Sequence, residues 1–274
     1  MIMKNNKIEF WNNRFIKFGH TGWSDNLIYD YDQSVRINKI SSVINKLNVA
    51  TALDLGCGTG DFIKLIDSLN KQSCIVGVDI SDKTIERNKI NFVQENIEFI
   101  ASDLLEYSIK KNKYDLISSI TVLQHITNKE DLLQLLKNIK DGLSSKGKFI
   151  FLENIYNEST VEDNYLNKNF DKDDWLDVCQ EAGLTVEQIY SYPQLGIRLV
   201  ESIFRLLQFV KSKIKKENKK IIEKNNNQNI NIKSSLLRRN ITKIILFFSS
   251  FFDKILNIDT SIDKSKYLVF VCKK

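Results

Sequence analysis

A single proline and ten glycines among 274 residues are too few for a collagen-like, Pro-rich or propeller architecture. The four cysteines, Cys57, Cys74, Cys179 and Cys272, lie far apart and form no Cys-x-x-Cys pair. Neither a zinc site nor a disulfide framework is signalled, and a reducing, cytoplasmic setting is expected. Met1 to Ile8 is polar and rich in Lys and Asn, unlike the apolar stretch of a secretory leader. No window offers the ~20 uninterrupted apolar residues of a membrane span. Histidine is also scarce, since His20 and His125 are the only two, and no metal cluster is expected.

What is present suits a globular chain with one substantial core, 42% of its residues being apolar and 27% charged. Charge is unevenly divided. Pro193 to Lys264 holds fifteen Lys/Arg against six Asp/Glu, a surplus of nine, so the total of +6 leaves −3 elsewhere. Such a segment can meet anionic lipid, nucleic acid or an acidic substrate, or it can be a solvated helix face.

From Thr51 to Tyr192 short apolar runs alternate with amphipathic stretches, the pattern of repeated βα units. Strands are expected at Ala52–Leu55, Ile75–Asp79, Ile97–Ala101, Tyr114–Ser119, Lys148–Glu153 and Thr185–Ser191. Ser81 and Asp82 mark one helix start and Asn128 another, placing side-chain acceptors where orphan N–H groups need them. Gly142 and Gly183 stand where helix C′ residues are expected. The pattern changes after Tyr192. Leu195 to Val210 reads as an amphipathic helix with Arg198, Glu201, Arg205 and Gln208 on its polar stripe. Lys211 to Lys224 is basic, Asn225 to Asn231 reads as a polar linker, and a second amphipathic helix is expected from Leu236 to Leu256. Tyr267 to Cys272 suits a last strand, so the basic segment reads as an insertion before it.

The densest signal is Leu53-Asp54-Leu55-Gly56-Cys57-Gly58-Thr59-Gly60-Asp61-Phe62, a glycine loop between a strand and a helix. Glycines there permit positive φ and a close approach of backbone N–H groups to a ligand. Nicotinamide and flavin fingerprints require GxGxxG, whose last position is Asp61 in this chain. That argues against an oxidoreductase. Asp61 would repel a pyrophosphate, whereas a methionine-type zwitterion presents an ammonium group to it. Asp79, with Ile80 beside it, ends the second strand where a carboxylate can accept both hydroxyls of a ribose. Asp103 follows the third strand at the same edge; it can accept an adenine amine hydrogen while the N–H of Leu104 donates to the ring.

Together these residues resemble the class I, seven-stranded S-adenosylmethionine-dependent methyltransferase family. The resemblance rests on Asp54-Leu55-Gly56-Cys57-Gly58-Thr59-Gly60, Val78-Asp79-Ile80-Ser81, Ser102-Asp103-Leu104, Tyr114-Asp115-Leu116-Ile117 running into Val122-Leu123-Gln124-His125-Ile126, and Gly147-Lys148-Phe149-Ile150-Phe151. It implies a doubly wound α/β fold with a mainly parallel seven-stranded sheet and an antiparallel last strand. It also implies S-adenosyl-L-methionine as cofactor, S-adenosyl-L-homocysteine as its product, and Asp54, Gly56, Gly58, Gly60, Asp79, Ile80, Asp103 and Leu104 as cofactor-binding residues. The expected organisation is a lid or substrate segment over 1–48, a cofactor-binding core over 49–192, a basic helical insertion over 193–264 and the last strand over 265–274.

The sulfonium methyl group is already electrophilic, so the protein must chiefly align an acceptor and exclude water. A hydroxyl acceptor gains from a nearby base, and His125 and His20 are the candidates. In the N-terminal segment Trp23, Tyr29, Tyr31 and Arg36 are expected to bind substrate, Tyr29 to Arg36 lying closest to the methyl donor. Glu153 is a further candidate for the acceptor pocket. The expected reaction is O-methylation of a small molecule such as a sugar of a surface glycan or its precursor. Methylation of a lipid or quinone precursor or of RNA, and a catalytically silent SAM-binding protein, remain alternatives. No DNA partner is expected. Phe247, Phe248, Phe251 and Phe252 near Arg238, Arg239 and Lys243 leave three readings open for residues 195–256: internal packing, a homodimer, and peripheral contact with the inner face of a membrane.

Overall fold

The computed structural model describes residues 2–22, 24–70, 72–156, 167–191, 196, 199–200, 202–203, 205, 239–250, 262 and 265–274. Seven strands form one sheet: β1 (Thr51–Leu55), β2 (Cys74–Asp79), β3 (Ile97–Ala101), β4 (Tyr114–Ile120), β5 (Leu143–Asn154), β6 (Thr185–Ser191) and β7 (Tyr267–Lys273). Their order is β3-β2-β1-β4-β5-β7-β6. β1 to β5 run parallel to one another, while β7 pairs antiparallel with both β5 and β6. Each expected strand is present, including the last antiparallel one. The helices are α1 (Ile2–Phe18), α2 (Asn26–Ile44), α3 (Asp61–Leu69), α4 (Asp82–Asn91), α5 (Lys129–Gly142) and α6 (Lys172–Glu181).

β5 begins five residues before the expected Lys148. Leu143-Ser144-Ser145-Lys146-Gly147 lacks an apolar alternation, yet Leu143 pairs with Tyr114 before a shift in register. Gly147 makes this possible, because a Cβ there would stand 2.5 Å from the Tyr114 carbonyl oxygen. Gly142 is likewise not a left-handed C′ residue. It is the last residue of α5, and its missing side chain leaves room for Ile109, whose Cγ2 would lie 2.5 Å from a Cβ. Gly183, by contrast, has φ +76° after α6, as a helix stop requires. The caps hold as expected: Ser81 Oγ accepts the Thr84 N–H, and Asn128 accepts that of Asp131.

The central strands β1, β2, β4 and β7 and the second half of β5 are buried on both faces, which explains their nearly continuous apolar runs, whereas the edge strands β3 and β6 are largely open. Phe151 stacks on Phe270 at 4.6 Å and lies 5.6 Å from Trp175 of α6, so the large aromatics sit under the β5–β7 half. The carboxyl ends of β1 and β4 are left as the crevice where strand order reverses, the place at which open α/β sheets take ligands.

The chain divides into two compact units, one of residues 1–22, 37–192 and 259–274, the other of residues 23–36 and 193–258. Within the second, Tyr31 is buried and its hydroxyl accepts the Gly196 N–H at 2.9 Å. Asp32 and Arg36 form a buried ion pair at 2.6 Å. A helix over 239–250 buries Thr242, Leu246 and Ser249. Most of the expected helix at 195–210, the Lys-rich run, the linker at 225–231, and Phe251 and Phe252 lie outside the described residues.

Candidate functional site

β1 delivers the chain to the crevice and the glycine loop turns it into α3. Gly56, Gly58 and Gly60 have φ +73°, +48° and +79°, a region costing other residues ~1–2 kcal/mol. The N–H groups of Gly56 and Cys57 bond to the Val78 carbonyl at 2.7 and 3.0 Å, locking the loop to the end of β2. The three glycines serve different ends. A Cβ at Gly56 would meet Val122 Cγ2 at 2.3 Å, and one at Gly60 would meet Phe92 Cζ at 2.6 Å. At Gly58 the nearest atom is the Thr21 hydroxyl, 3.3 Å away. Gly58 is therefore the least crowded of the three, with the Thr21 hydroxyl against it.

Carboxylates surround this loop. Asp79 is buried; its Oδ2 accepts the Gly58 N–H and its Oδ1 the Ser81 N–H, both at 2.9 Å. Burial pushes its pKa upward against these bonds and one from the Ile80 N–H. Asp54, also buried, accepts the Ser118 hydroxyl at 2.6 Å. Its pKa is pushed up to about 7, first by burial, opposed by the Ser118 bond, with the charges of Asp79 and Asp61 adding to the rise. Asp61 opens α3 and accepts the Thr59 hydroxyl at 2.8 Å. A cradle with three carboxyl groups favours a cationic ligand and disfavours a pyrophosphate. It thus fits a sulfonium zwitterion by charge.

The third strand joins the same rim. Ser102 N–H donates to the Asp79 carbonyl at 3.0 Å, which sets Asp103 beside the end of β2. Asp103 Oδ1 accepts the Leu105 N–H at 3.0 Å, and its carboxylate remains partly exposed while Leu104 is buried. Gly58 and Asp79 are thus hydrogen-bonded to each other, and Asp103 directly follows the residue bonded to the Asp79 carbonyl.

α1 lies across this rim. On the β4 side, Lys7 Nζ donates to the His125 carbonyl at 3.0 Å and Trp11 meets the His125 ring at 4.9 Å. On the α4 side, Ser81 Oγ donates to Asn12 at 2.8 Å, and the Arg87 guanidinium lies 5.5 Å from the Phe15 ring. The loop after α1 is tied down: Arg87 donates to the Gly19 carbonyl, and Arg14 to those of Thr21 and Gly22, each at 2.8 Å. These bonds set Thr21 against Gly58. His20 in this loop is buried and stacked on Phe18 at 6.1 Å. His125 ends a 3-10 turn (Leu123–His125) just past β4 and is half-buried.

Glu153 is wholly buried near the end of β5, and its Oε1 accepts the N–H groups of Val122 and Leu123 at 2.9 and 2.8 Å. It pins the loop that carries Val122 onto Gly56. Thr121 in that loop has φ +57°, a costly conformation for a β-branched residue. Two further side chains that sequence reasoning missed shape the cradle. Val122 caps Gly56, and Asn88 of α4, fully buried, donates to the Gly58 carbonyl at 2.7 Å. A signal for Asn88 existed, since a mid-helix Asn is an unfavourable choice that invites a reason. Tyr29, Tyr31 and Arg36 belong to the second unit, where the Tyr29 hydroxyl accepts from Gln33. Trp23 lies outside the described residues. Among the described residues no three His, Cys, Asp or Glu side chains group to hold a metal, and no helix is long and apolar enough to cross a membrane.

Residues 48–232 match the family described as a methyltransferase domain. Over 192 residues the chain is 28% identical to the carboxy-S-adenosyl-L-methionine synthase of Staphylococcus epidermidis, covering 69% of this chain and 76% of that protein. It is 38% identical over 112 residues to a malonyl-[acyl-carrier protein] O-methyltransferase of Ilyobacter polytropus, covering 38% and 42% respectively. Two further relatives are spanned over 54% of their own length. The solved structure of a SAM-dependent methyltransferase from Leishmania major has the same fold, with a TM-score of 0.57 at 19% identity over 70% of this chain and 77% of that one.

Proposed function

Because the chain belongs to the methyltransferase-domain family and is an S-adenosylmethionine-dependent enzyme, we propose that it methylates a hydroxyl of a small molecule, such as a sugar of a surface glycan or its activated precursor. The observation that carries this reading is the imidazole of His125 against Trp11 at the same rim as Gly58 and Asp79. It offers a base and a ring surface where an acceptor would meet the donor. In this reading the glycine loop holds the methionine part, Asp54 and Asp61 face its ammonium group, and Asp79 receives the ribose hydroxyls. Asp103 and the Leu104 N–H read adenine. The donor supplies an electrophilic methyl group; the protein's task is alignment and dryness. α1 excludes water from above the loop, and an imidazole nitrogen of His125 takes the acceptor's proton. His20, buried against Phe18, serves to pack the 19–22 loop.

Labelled donor incubated with nucleotide sugars, glycans, quinone precursors and tRNA tests the acceptor. Incorporation into the sugar-bearing pool, lowered ~10²- to 10⁴-fold by His125→Ala, is expected. Incorporation only into RNA would overturn the reading, and donor binding with no methylated product in any pool would make the chain a silent binding protein.

The carboxyls also give donor binding a pH dependence. The folded pKa of Asp54 is raised above its unfolded value of 3.8 to about 7. The ligand-free protein therefore holds a proton that the unfolded chain releases, and this contribution to stability is present below pH 4 and lost as pH rises through about 7. A cationic donor needs the ionised form, so its affinity moves the other way. Between pH 6 and 8 calorimetry should show donor affinity rising up to about tenfold, the change in ionised fraction of a group with this pKa. Asp54→Asn should flatten the rise, and a wild-type affinity constant across that interval would contradict the placement of Asp54.

A further inference from the structure

The helix over 239–250 in the second unit is amphipathic in the reverse sense. Its inward side is fixed by Gly196, where a Cβ would meet the Tyr31 ring at 2.6 Å and Ser249 Cβ at 2.9 Å. Thr242, Leu246 and Ser249, spaced four and three apart, are the buried positions. Two of these three are hydroxyl residues. The outward side, at 240, 243, 244, 247 and 248, carries the helix's largest apolar groups, with Ile244, Phe247 and Phe248 exposed by 57%, 73% and 56%. Arg239 and Lys243 are exposed one turn before them.

Isolated exposed apolar residues need no explanation, whereas three contiguous ones beside cations do. From Lys224 to Phe252 the sequence holds Lys224, Lys233, Arg238, Arg239 and Lys243 and no Asp or Glu. A cationic margin next to an aromatic and aliphatic stripe is complementary to an anionic bilayer, where side chains enter the acyl boundary and cations meet headgroups. A second copy of the chain is a poorer fit, because two Phe and one Ile side chains at these exposures offer roughly 300–400 Å², well short of the ~800 Å² per partner of a stable interface. RNA would use the rings for stacking but leaves Ile244, between the cations and the rings, without a role.

We propose that the outward face of this helix, Ile244, Phe247 and Phe248 flanked by Arg239 and Lys243, seats the protein on an anionic lipid surface. The test is flotation of the full-length protein with vesicles of phosphatidylcholine alone and of phosphatidylcholine containing about a third phosphatidylglycerol. Flotation with the anionic vesicles only is expected, weakened by 0.5 M salt. Phe247→Ser/Phe248→Ser and Arg239→Glu/Lys243→Glu should each lower the bound fraction about tenfold, with S-adenosylhomocysteine affinity unchanged. Four results would overturn the proposal: no flotation, flotation indifferent to both double variants, capture of a labelled RNA oligonucleotide in place of vesicles, or a lipid-free dimer abolished by the Phe pair.

Discussion

Asp79→Ala is expected to weaken S-adenosylhomocysteine binding by ~2–4 kcal/mol, roughly 30- to 1000-fold, as measured by calorimetry. Two ribose hydrogen bonds to a charged acceptor account for that range. A second contribution comes from the protein itself, because the same carboxylate holds the N–H groups of Gly58 and Ser81, and its loss frees the middle of the glycine loop. Asp79→Asn is a severe control for the same reason. Both oxygens of the native side chain accept N–H bonds, so an asparagine must turn its own NH₂ group against one donor. Affinity in Asp79→Asn should therefore fall well below wild type despite the unchanged shape. An unaltered affinity in the alanine variant would show the ribose to be held elsewhere.

Glu153→Ala is expected to cost ~3–5 kcal/mol of stability, read as a lowered denaturant midpoint at constant slope. The loss leaves two N–H groups, those of Val122 and Leu123, without their acceptor, and opens a void in a closed part of the core. The loop it releases contains the strained Thr121 and the Val122 methyls that close on Gly56. Donor affinity should fall along with stability. Glu153→Gln keeps a carbonyl oxygen able to accept both bonds and should recover most of each loss. Equal damage in the two variants, with donor affinity untouched, would detach the loop from this carboxyl and return Glu153 to the candidates for acceptor contact.

Legibility differed along the chain for physical reasons. β1 to β4 and β6 were readable because each is a short apolar run between polar or glycine-containing breaks, and the loop between β1 and α3 because left-handed backbone selects glycine. The start of β5 was not, since Leu143 pairs with Tyr114 and pairing resumes only between Lys148 and Leu116, and the polar stretch between them has no apolar period to read. Gly142 was misread for a related reason: close packing against Ile109 and a positive φ both call for glycine, and only coordinates separate them. Glu153 looked like a pocket carboxylate because it ends a strand at the ligand edge, a position that also suits a side chain turned back onto a neighbouring loop.

The sequence alone determined the class of fold, the glycine loop and the two acids downstream of it, because these depend on local conformational preference and on position relative to strand ends. Only the tertiary structure decided that Val122 and Phe92 fill the space beside Gly56 and Gly60 while the Thr21 hydroxyl stands against Gly58, that α1 crosses the rim from His125 to Arg87, and that the helix over 239–250 turns its phenylalanines outward. Those outcomes depend on contacts between residues tens to hundreds of positions apart, and periodicity along a chain shows that an element has two faces without showing what each face meets.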